Sequence, residues 1–401
     1  MAYQKVTMIG PRAACIPLAS RYAAAMTGSL PSSIDVLIVG AGIGGASLAA
    51  SLAPHRRVLL IEAEAMQGYH ATGRSAAFWH ETYGGPAIQP LSKASFDLLR
   101  DPPADFSERG FLSPRAAFNL GRRDEAAVVD EFTAGFAAKG VDIQRMSGVE
   151  VARIVPGIRP DWSEAAYEGA CSDIDVGALH AAFLRTAKRA GAQLATSATL
   201  TSARRTASGW EVQVGTDMLH ANVIVNAAGA WADTVAVRCG ARPLGIQPYR
   251  RTVVQLRLGV PVPASLPLVI HVGGSFYFKG ESEGRVWLSP HDETPSAPCD
   301  AAPEELDVAI AIDRLQEVVD WPIAAVERKW AGLRSFAPDR LPVFGADPHV
   351  PDFVWCAGQG GFGIQTSPAI GGLLAAELGA PRPGGAIGEV DPAPFAPARF
   401  A

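Results

Sequence analysis

The sequence lacks the cysteine pattern of a metalloprotein or of a disulfide-stabilised protein. Its five cysteines are far apart and none forms a C-x-x-C pair: Cys15, Cys171, Cys239, Cys299 and Cys356. Zinc sites, iron–sulfur clusters and disulfide frameworks require cysteines that are clustered or regularly spaced. We therefore predict no metal site and a reduced, cytoplasmic protein.

The sequence also has no excess of basic charge and no long apolar run. With 35 Lys and Arg against 40 Asp and Glu, its net charge is -5, which offers no basic surface to nucleic acid. No segment approaches the roughly 20 consecutive apolar residues of a membrane-spanning helix. Because Pro11, Pro17 and Arg21 interrupt the N-terminal segment, we expect residues 1–33 to be a disordered extension rather than a signal peptide, unless the true start is Met26.

A strand–helix–strand pattern begins at residue 34. The apolar run Ile34–Val39 predicts a buried parallel strand, an Ala/Leu/Ser-rich helix extends to about Ala53, and Arg57–Glu62 predicts the next strand. Two parallel strands joined by a helix form a βαβ unit. This unit alone is common to many α/β proteins, so its turn residues decide what it can bind.

The turn of this unit carries the glycines of a dinucleotide-binding motif. Gly40 permits a tight turn, Gly42 allows the backbone to approach a pyrophosphate, and Gly45 allows close packing of helix and strand. The helix N-terminus that follows attracts phosphate. Glu62, at the end of the next strand, can accept hydrogen bonds from a ribose diol. The alternative, a glycine-rich turn without a nucleotide, does not require this acid.

Further strands and helices return to the same domain later in the chain. Strand-like runs occur at 211–214, 223–225 and 353–356, and Asp175 is the expected N-cap of a helix to about residue 190. Alternating strands at 251–258 and 275–279 belong to a region of different character, and residues 84–165 have a helical and loop-rich pattern. We predict an α/β fold, in which a dinucleotide-binding domain of the glutathione-reductase type (34–83, 166–236 and 336–380) carries an inserted mixed α+β substrate domain (84–165 and 237–335), followed by a flexible tail (381–401).

Two additional glycine-rich or small-residue segments favour FAD over NAD. Gly68–Ala77 follows the ribose-binding acid, and its Thr72, Arg74 and Ser75 could contact a pyrophosphate or the flavin edge. Gly358–Gly363 joins a strand to a helix expected to begin near Ile364, whose N-terminus would stabilise a reduced flavin. A second nucleotide site for NAD(P)H is the alternative, but no βα unit with a ribose acid follows. Ordinary surface loops remain the structural alternative.

Six segments together resemble the D-amino-acid oxidase superfamily of flavoproteins, in particular the bacterial D-arginine dehydrogenases. They follow one another with compatible spacing between Asp35 and Leu374: Gly40–Gly45, Gly68–Ala77, Asn226–Trp231, Arg242–Gly245, Trp330–Phe336 and Gln359–Thr366. The resemblance implies noncovalently bound FAD. The residues expected to bind it are Gly40, Gly42, Gly44, Gly45, Glu62, Ala63, Ala71, Thr72, Gly73, Arg74, Ser75, Ala76, Ala77, Phe78, Leu200, Ala228, Gly229, Gly332, Gly360, Gly361, Phe362, Gly363, Ile364 and Gln365.

The resemblance also implies a substrate site built on two arginines. Arg251 and Arg334 would hold a carboxylate, since a guanidinium matches it bidentately, while Tyr83 and Tyr277 would line the pocket. Strand alternation places Tyr277 opposite Phe276 and Phe278. Without the resemblance, Arg251 would be assigned to a solvent-facing strand position and Tyr277 to the core.

Two positions depart from the D-arginine dehydrogenase pattern. The glutamate expected to pair with the substrate guanidinium is replaced by Ala117, and the pocket histidine by Phe78, followed by Trp79 and His80. Loss of a buried ion-pair partner disfavours a cationic side chain. His80 could reach into the pocket instead, or it could lie on the surface.

The sequence therefore predicts FAD-dependent oxidation of a D-amino acid with an uncharged or apolar side chain to the imino acid. Oxidation of an N-substituted glycine or a cyclic secondary amino acid is the alternative within enzymes, and a noncatalytic or RNA-related flavoprotein is a further one. The expected partners are a small amino acid and an electron acceptor, either oxygen or a quinone, without nucleic acid or a membrane span.

Overall fold

The computed structural model of the protein describes residues 30–282 and 284–401. Of the predicted N-terminal extension, only residues 30–33 fall within this range, and Ser33 already begins the first strand. The described residues form one sheet of eight strands, one of nine and one of three. No helix among them is long and apolar enough to cross a membrane.

The eight-stranded sheet contains the predicted βαβ unit at its centre. Strand β1 is parallel to β2 on one side and to β12 on the other, and the order is β10-β11-β12-β1-β2-β9, with β20 on β12 and β19 on β20. The strands are β1 (Ser33–Val39), β2 (Val58–Ile61), β9 (Gln193–Ala195), β10 (Leu200–Thr206), β11 (Gly209–Val214), β12 (Asp217–Asn226), β19 (Val343–Ala346) and β20 (Phe353–Ala357).

Helices cover both faces of this sheet because β1 is apolar on both. Val36 and Ile38 face a core shared with α1, α2, α5 and α8, whereas Leu37 and Val39 face a core shared with α6. The side chain of Asp175 accepts the amide N–H of Ala178 at 2.9 Å, which confirms the predicted N-cap. The helices are α1 (Ile43–Leu52), α2 (Gln89–Arg100), α5 (Val176–Arg189), α6 (Ala232–Arg238) and α8 (Ser367–Glu377).

The nine-stranded sheet forms the second layer of the molecule. Its order is β17-β13-β16-β15-β14-β5-β7-β6, with the long β18 paired antiparallel to β13. The strands are β5 (Ala117–Gly121), β6 (Ile143–Ser147), β7 (Glu164–Glu168), β13 (Gln247–Leu258), β14 (Leu268–His271), β15 (Tyr277–Gly280), β16 (Arg285–Ser289), β17 (Thr294–Pro295) and β18 (Ile323–Phe336). Its helices are α3 (Ala126–Ala137), α4 (Gly148–Ile154) and α7 (Glu305–Val318).

The three-stranded sheet lies between these layers and carries part of the site. It consists of β3 (Phe78–Trp79), β8 (Ser172–Ile174) and β4 (Leu112–Pro114), in the order β3-β8-β4. Trp79 and Ile174 pack into the core of the eight-stranded sheet, and Asp173 forms an ion pair at 2.7 Å with Lys279 of the nine-stranded sheet, so the small sheet connects the two layers.

Three sequence-based expectations need correction. Residues 84–165 contain β4 to β7 besides helices, and α2, from the same range, packs into the core of the eight-stranded sheet rather than with the predicted substrate domain. The helix after Gly358–Gly363 begins at Ser367 instead of Ile364. The tail after residue 380 packs against the rest of the protein: it forms α9 (Gly385–Glu389) and two 3-10 turns, and it buries Val390 and Phe395 in the core that α1, α2, α5 and α8 share. Burial of these apolar side chains stabilises the segment in spite of its many proline and glycine residues.

Candidate active site

A large cavity of about 680 Å³ extends along the carboxyl ends of β1 and β2. Glycine makes the close approach of its walls possible. Gly40 has φ +109°, and a Cβ atom there would lie 2.4 Å from the carbonyl oxygen of Ala227. A Cβ at Gly45 would lie 2.0 Å from the carbonyl oxygen of Gly40, so Gly45 packs helix against strand and does not line the cavity.

Glu62 connects the turn after β1 with the turn after β2 at one end of the large cavity. Its carboxylate accepts the amide N–H groups of Ala41 and Glu64, each at 3.0 Å. Burial raises the pKa of this carboxyl, although the two hydrogen bonds oppose the shift. The segment 197–201 lies beside it, since the amide of Ser197 donates to the carbonyl of Glu64. Of this segment the sequence indicated only Leu200; the rest depends on the placement of β9 next to β2.

Thr72 and His180 fix the start of helix α1. The hydroxyl oxygen of Thr72 accepts the amide N–H of Ile43 at 3.0 Å, and Nε2 of His180 donates to the carbonyl oxygen of Ala41 at 2.9 Å. Burial lowers the pKa of His180, which keeps it neutral and suited to this bond. The turn therefore has a preset shape at the position where a helix N-terminus attracts phosphate.

Arg74 lies in the wall of the large cavity with its guanidinium already engaged. It donates to the carbonyl oxygens of Ala301 (2.8 Å) and Ala331 (3.2 Å) and forms an ion pair with Asp300. These contacts attach the segment 68–77 to β18 and to the loop before α7. Arg74 therefore links the two layers, and its contact with a pyrophosphate or the flavin edge stays a prediction.

The residues that the sequence singled out for the cofactor fall into three groups. Three of them line neither cavity and act by packing: Gly45, Gly73 and Phe362. Four line only a second, small cavity adjoining the first: Ala76, Ala77, Phe78 and Gln365. The others line the large cavity: Gly40, Gly42, Gly44, Glu62, Ala63, Ala71, Thr72, Arg74, Ser75, Leu200, Ala228, Gly229, Gly332, Gly360, Gly361, Gly363 and Ile364. Trp231 and Gln359, which belong to segments that carry the resemblance, also line it, as does Arg238, which no sequence pattern indicated.

The small cavity contains two buried arginines. Arg251 on β13 pairs in register with Gly332, and Arg334 on β18 pairs with Tyr249, so both side chains lie on one face two positions apart. Arg334 is 7% exposed, burial lowers its pKa, and its guanidinium has neither a hydrogen bond nor an ion pair to any described residue. A buried guanidinium without a partner is costly. Arg334 therefore offers a binding site for an anion.

Arg251 differs from Arg334 because it already has partners. Its Nε donates to the carbonyl oxygen of Asp292 at 2.9 Å, and its Nη2 contacts the Glu293 carboxylate at 3.1 Å. Glu293 is also held at 2.6 Å by the more exposed Arg340. The two members of the predicted clamp are therefore not equivalent.

Aromatic rings close the rest of the small cavity. Phe78 lies edge-on to both Tyr83 (5.1 Å between ring centroids) and Tyr277 (5.9 Å). Tyr277 packs away from Phe276 and Phe278, as the strand alternation predicts, and burial raises its pKa. The free space is about 20 Å³, enough for one water molecule. A substrate larger than water must therefore extend into the large cavity, which Arg334 also lines, or displace side chains.

His80 and Ala117, from which the sequence analysis predicted the charge of the substrate side chain, lie outside the small cavity. Nε2 of His80 forms a buried ion pair with Glu168 at 3.0 Å and contacts the Thr82 hydroxyl. Burial opposes ionisation of Glu168, but His80 lowers its pKa below the ordinary value. Ala117 is fully buried and pairs in register with Glu168. The expectation that His80 reaches into the pocket is corrected: its ring binds Glu168 and packs against Phe78 from outside the cavity.

Comparison with known proteins identifies the family. The family profile described as FAD dependent oxidoreductase matches residues 35–377. The chain belongs to this family. FAD is therefore its cofactor, and the glycine turns, Glu62 and the start of α1 fit the ribose and pyrophosphate of a dinucleotide. The resemblance to the D-amino-acid oxidase superfamily is confirmed, whereas the likeness to D-arginine dehydrogenases stays a prediction.

Individual relatives of this oxidoreductase cover most of its length. Glycine oxidase of Geobacillus kaustophilus is 25% identical over 86% of this chain and 92% of its own. Its crystal structure superposes with a TM-score of 0.79 at 24% identity, covering 91% of this chain and 98% of the other. L-proline dehydrogenase from P. horikoshii gives 0.80 at 21% identity, covering 92% and 98%. Human mitochondrial dimethylglycine dehydrogenase is 26% identical over 85% of this chain and 42% of its own length.

Proposed function

We propose that this FAD-dependent oxidoreductase oxidises the amine of a small N-substituted glycine or cyclic secondary amino acid. The observation that carries the proposal is Arg334, a buried guanidinium without a protein partner among the described residues, in a cavity that adjoins the cofactor cavity. A substrate carboxylate would supply the missing partner. Ser75, Arg334, Gly361 and Ile364 line both cavities, so an anion at Arg334 lies next to the cofactor.

The amine class is supported by the relatives. Glycine oxidase, dimethylglycine dehydrogenase and L-proline dehydrogenase are named for glycine, an N-methylated glycine and a cyclic amino acid. None of these names denotes a D-amino acid with a large side chain. We therefore rank the secondary-amine substrates ahead of the D-amino acids that the sequence first suggested. The aromatic wall of Phe78, Tyr83 and Tyr277 suits a substrate whose side chain or N-substituent is uncharged in either case.

The protein residues would act mainly by orientation. FAD held in the large cavity would supply the acceptor for a hydride from the carbon next to nitrogen, and the resulting imine would be hydrolysed by water. Arg334 holds the carboxylate and thereby fixes the distance of that carbon from the cofactor cavity. The aromatic rings exclude water around the reacting carbon. The electron acceptor, the compartment and the noncovalent mode of FAD binding stay predictions.

Anaerobic mixing with a panel of amines tests the proposal. Sarcosine and proline should bleach the flavin absorbance faster than D-alanine or D-leucine, and methylamine or pyrrolidine should not bleach it. Equal rates with amines that lack a carboxylate would contradict the role of Arg334. Faster bleaching by D-leucine than by any secondary amine would return the D-amino acids to first place.

Replacing Arg334 gives the sharpest mutational test. Arg334→Met should lower kcat/KM by at least two orders of magnitude, because loss of a buried charged hydrogen-bonding partner costs about 3–5 kcal/mol. The flavin content should be unchanged. Arg257→Met is the matched control, since Arg257 lies on β13 as well but is half-exposed and pairs with Glu327. An equal loss in both variants would indicate damage to the sheet.

A further inference from the structure

His291 is a buried histidine beside the small cavity that no sequence motif indicated. It follows β16, and its ring centroid lies 5.8 Å from that of Tyr277 and 6.4 Å from that of Tyr83. Its backbone has φ +53°, a conformation that His and Asn adopt more readily than most residues. The amide N–H of His291 donates to Ser289 Oγ at 3.0 Å, which fixes the start of the loop.

The hydrogen bonds of the ring determine its tautomer. Nδ1 contacts the carbonyl oxygen of Gly274, which can only accept, so Nδ1 carries the proton. Nε2 of the neutral ring is then a lone-pair acceptor. This atom is fully buried and has no hydrogen-bond partner among the described residues. Buried polar atoms without a partner are rare in folded proteins and call for an explanation.

The charged groups around His291 keep the ring neutral. Burial and the positive charges of Arg251, Arg334 and Arg340 lower its pKa to about 3. The rings of Tyr83 and Tyr277 also pack against it, while Asp292 and Glu293 follow it in the chain and are engaged with Thr252 and Arg251. Above that pKa, Nε2 therefore stays an acceptor.

We propose that Nε2 of His291 accepts a hydrogen bond from an N–H of the substrate amine. The proposal rests on the proposed function, because a carboxylate at Arg334 brings the amine one carbon away into a region of positive charge, where an amine or ammonium needs an acceptor. Nδ1 of His80 is also buried without a described partner. Neither ring lines the small cavity, but that of His291 packs against two residues of its wall, Tyr83 and Tyr277, whereas that of His80 is held by Glu168. His291 thus selects substrates that keep an N–H when bound.

Two side-chain replacements separate this contact from the fold. In His291→Asn the amide N–H₂ occupies the place of Nδ1–H and keeps the bond to Gly274, and Asn tolerates the positive φ, but nothing stands at Nε2. In His291→Gln the longer amide can place its oxygen near the Nε2 position. His220→Asn is the control, because His220 bonds to Ser208 at an exposed site.

The ligands are α-aminoisobutyrate and isobutyrate, in which a hydrogen replaces the amine. The first has no hydrogen on Cα and the second has no amine, so neither should be oxidised. Their dissociation constants are measured from the change in flavin absorbance of the FAD-loaded protein at pH 7. His291→Asn should weaken α-aminoisobutyrate at least tenfold and leave isobutyrate within twofold. His291→Gln should recover part of the loss, and His220→Asn should change neither constant.

The outcomes distinguish this proposal from the one on which it rests. Equal weakening of both acids in His291→Asn, or no change in either, would overturn the role of His291. If Arg334→Met abolishes binding of both acids while His291→Asn leaves the dissociation constant of α-aminoisobutyrate unchanged, the carboxylate site is supported and the amine contact is contradicted. If the unmodified protein binds neither acid, the proposed function itself is contradicted.

Discussion

The two adjoining cavities are built in opposite ways. The large cavity, about 680 Å³, is lined by many glycines, some of them at points where chain segments approach so closely that a Cβ atom would not fit. The small cavity, about 20 Å³, is walled by the side chains of Arg251, Arg334, Phe78, Tyr83 and Tyr277. Backbone geometry can be specified by a few neighbouring residues, whereas the small cavity needs side chains from distant segments. The first therefore suits a cofactor of constant shape and the second a substrate that differs between relatives.

A single methyl group should destroy the large cavity. In Gly45→Ala the new Cβ would lie 2.0 Å from the carbonyl oxygen of Gly40, so α1 must move away from β1 and the turn loses its shape. We expect a protein without bound FAD, measured as the ratio of flavin to protein absorbance after purification. Gly135→Ala in α3 is the control, because nothing lies within 4 Å of its Cβ. Full flavin content in Gly45→Ala would contradict the packing role.

This difference explains what could be predicted from the sequence. Gly40, Gly42 and Glu62 were recognisable because a strand, a turn and an acid in fixed order describe the site locally. Arg334 and Tyr277 were found only by resemblance, since no local pattern places them near Phe78. No sequence pattern indicated His291, because its position depends on the course of the loop after β16. His80 was assigned to the pocket because its contact with Glu168 depends on the pairing of β5 with β7.

Within the small cavity, the two arginines should differ in importance. Arg251→Met should lower kcat/KM about tenfold, or about 1.4 kcal/mol, compared with at least a hundredfold for Arg334→Met. The reason is that Arg251 already pairs with Glu293, which retains Arg340 when Arg251 is lost. Steady-state kinetics of the two variants with one substrate provide the comparison.

Equal losses in the two variants would mean that Arg251 releases Glu293 to hold the carboxylate when substrate binds. Glu293→Gln would then be informative, because it weakens the competing partner without touching either arginine. If Arg251 is exchanged in this way, Glu293→Gln should lower KM; if Glu293 stays bound, KM should not fall.

The smallest expected effect is that of replacing Glu62, whose carboxylate joins two turns in the wall of the large cavity. Glu62→Gln should weaken FAD several-fold, because an amide oxygen accepts from only one of the two amides that the carboxylate holds, Ala41 and Glu64, and bears no charge toward the ribose. Isothermal titration of the FAD-free protein measures the change. The small cavity should be unaffected, so carboxylate binding by the reloaded variant should match that of the unmodified protein.

The pH dependence of the same variant has a defined sign. Because burial raises the pKa of Glu62 in the folded protein, the unfolded chain releases this proton at lower pH, and the folded state loses stability relative to it as pH rises through the folded pKa. Gln does not titrate. The unfolding free energy of FAD-free Glu62→Gln, measured by urea denaturation, should therefore improve relative to the unmodified protein between pH 4 and pH 7. A difference that stays constant over this range would show that the two backbone hydrogen bonds, rather than burial, dominate the charge state of Glu62.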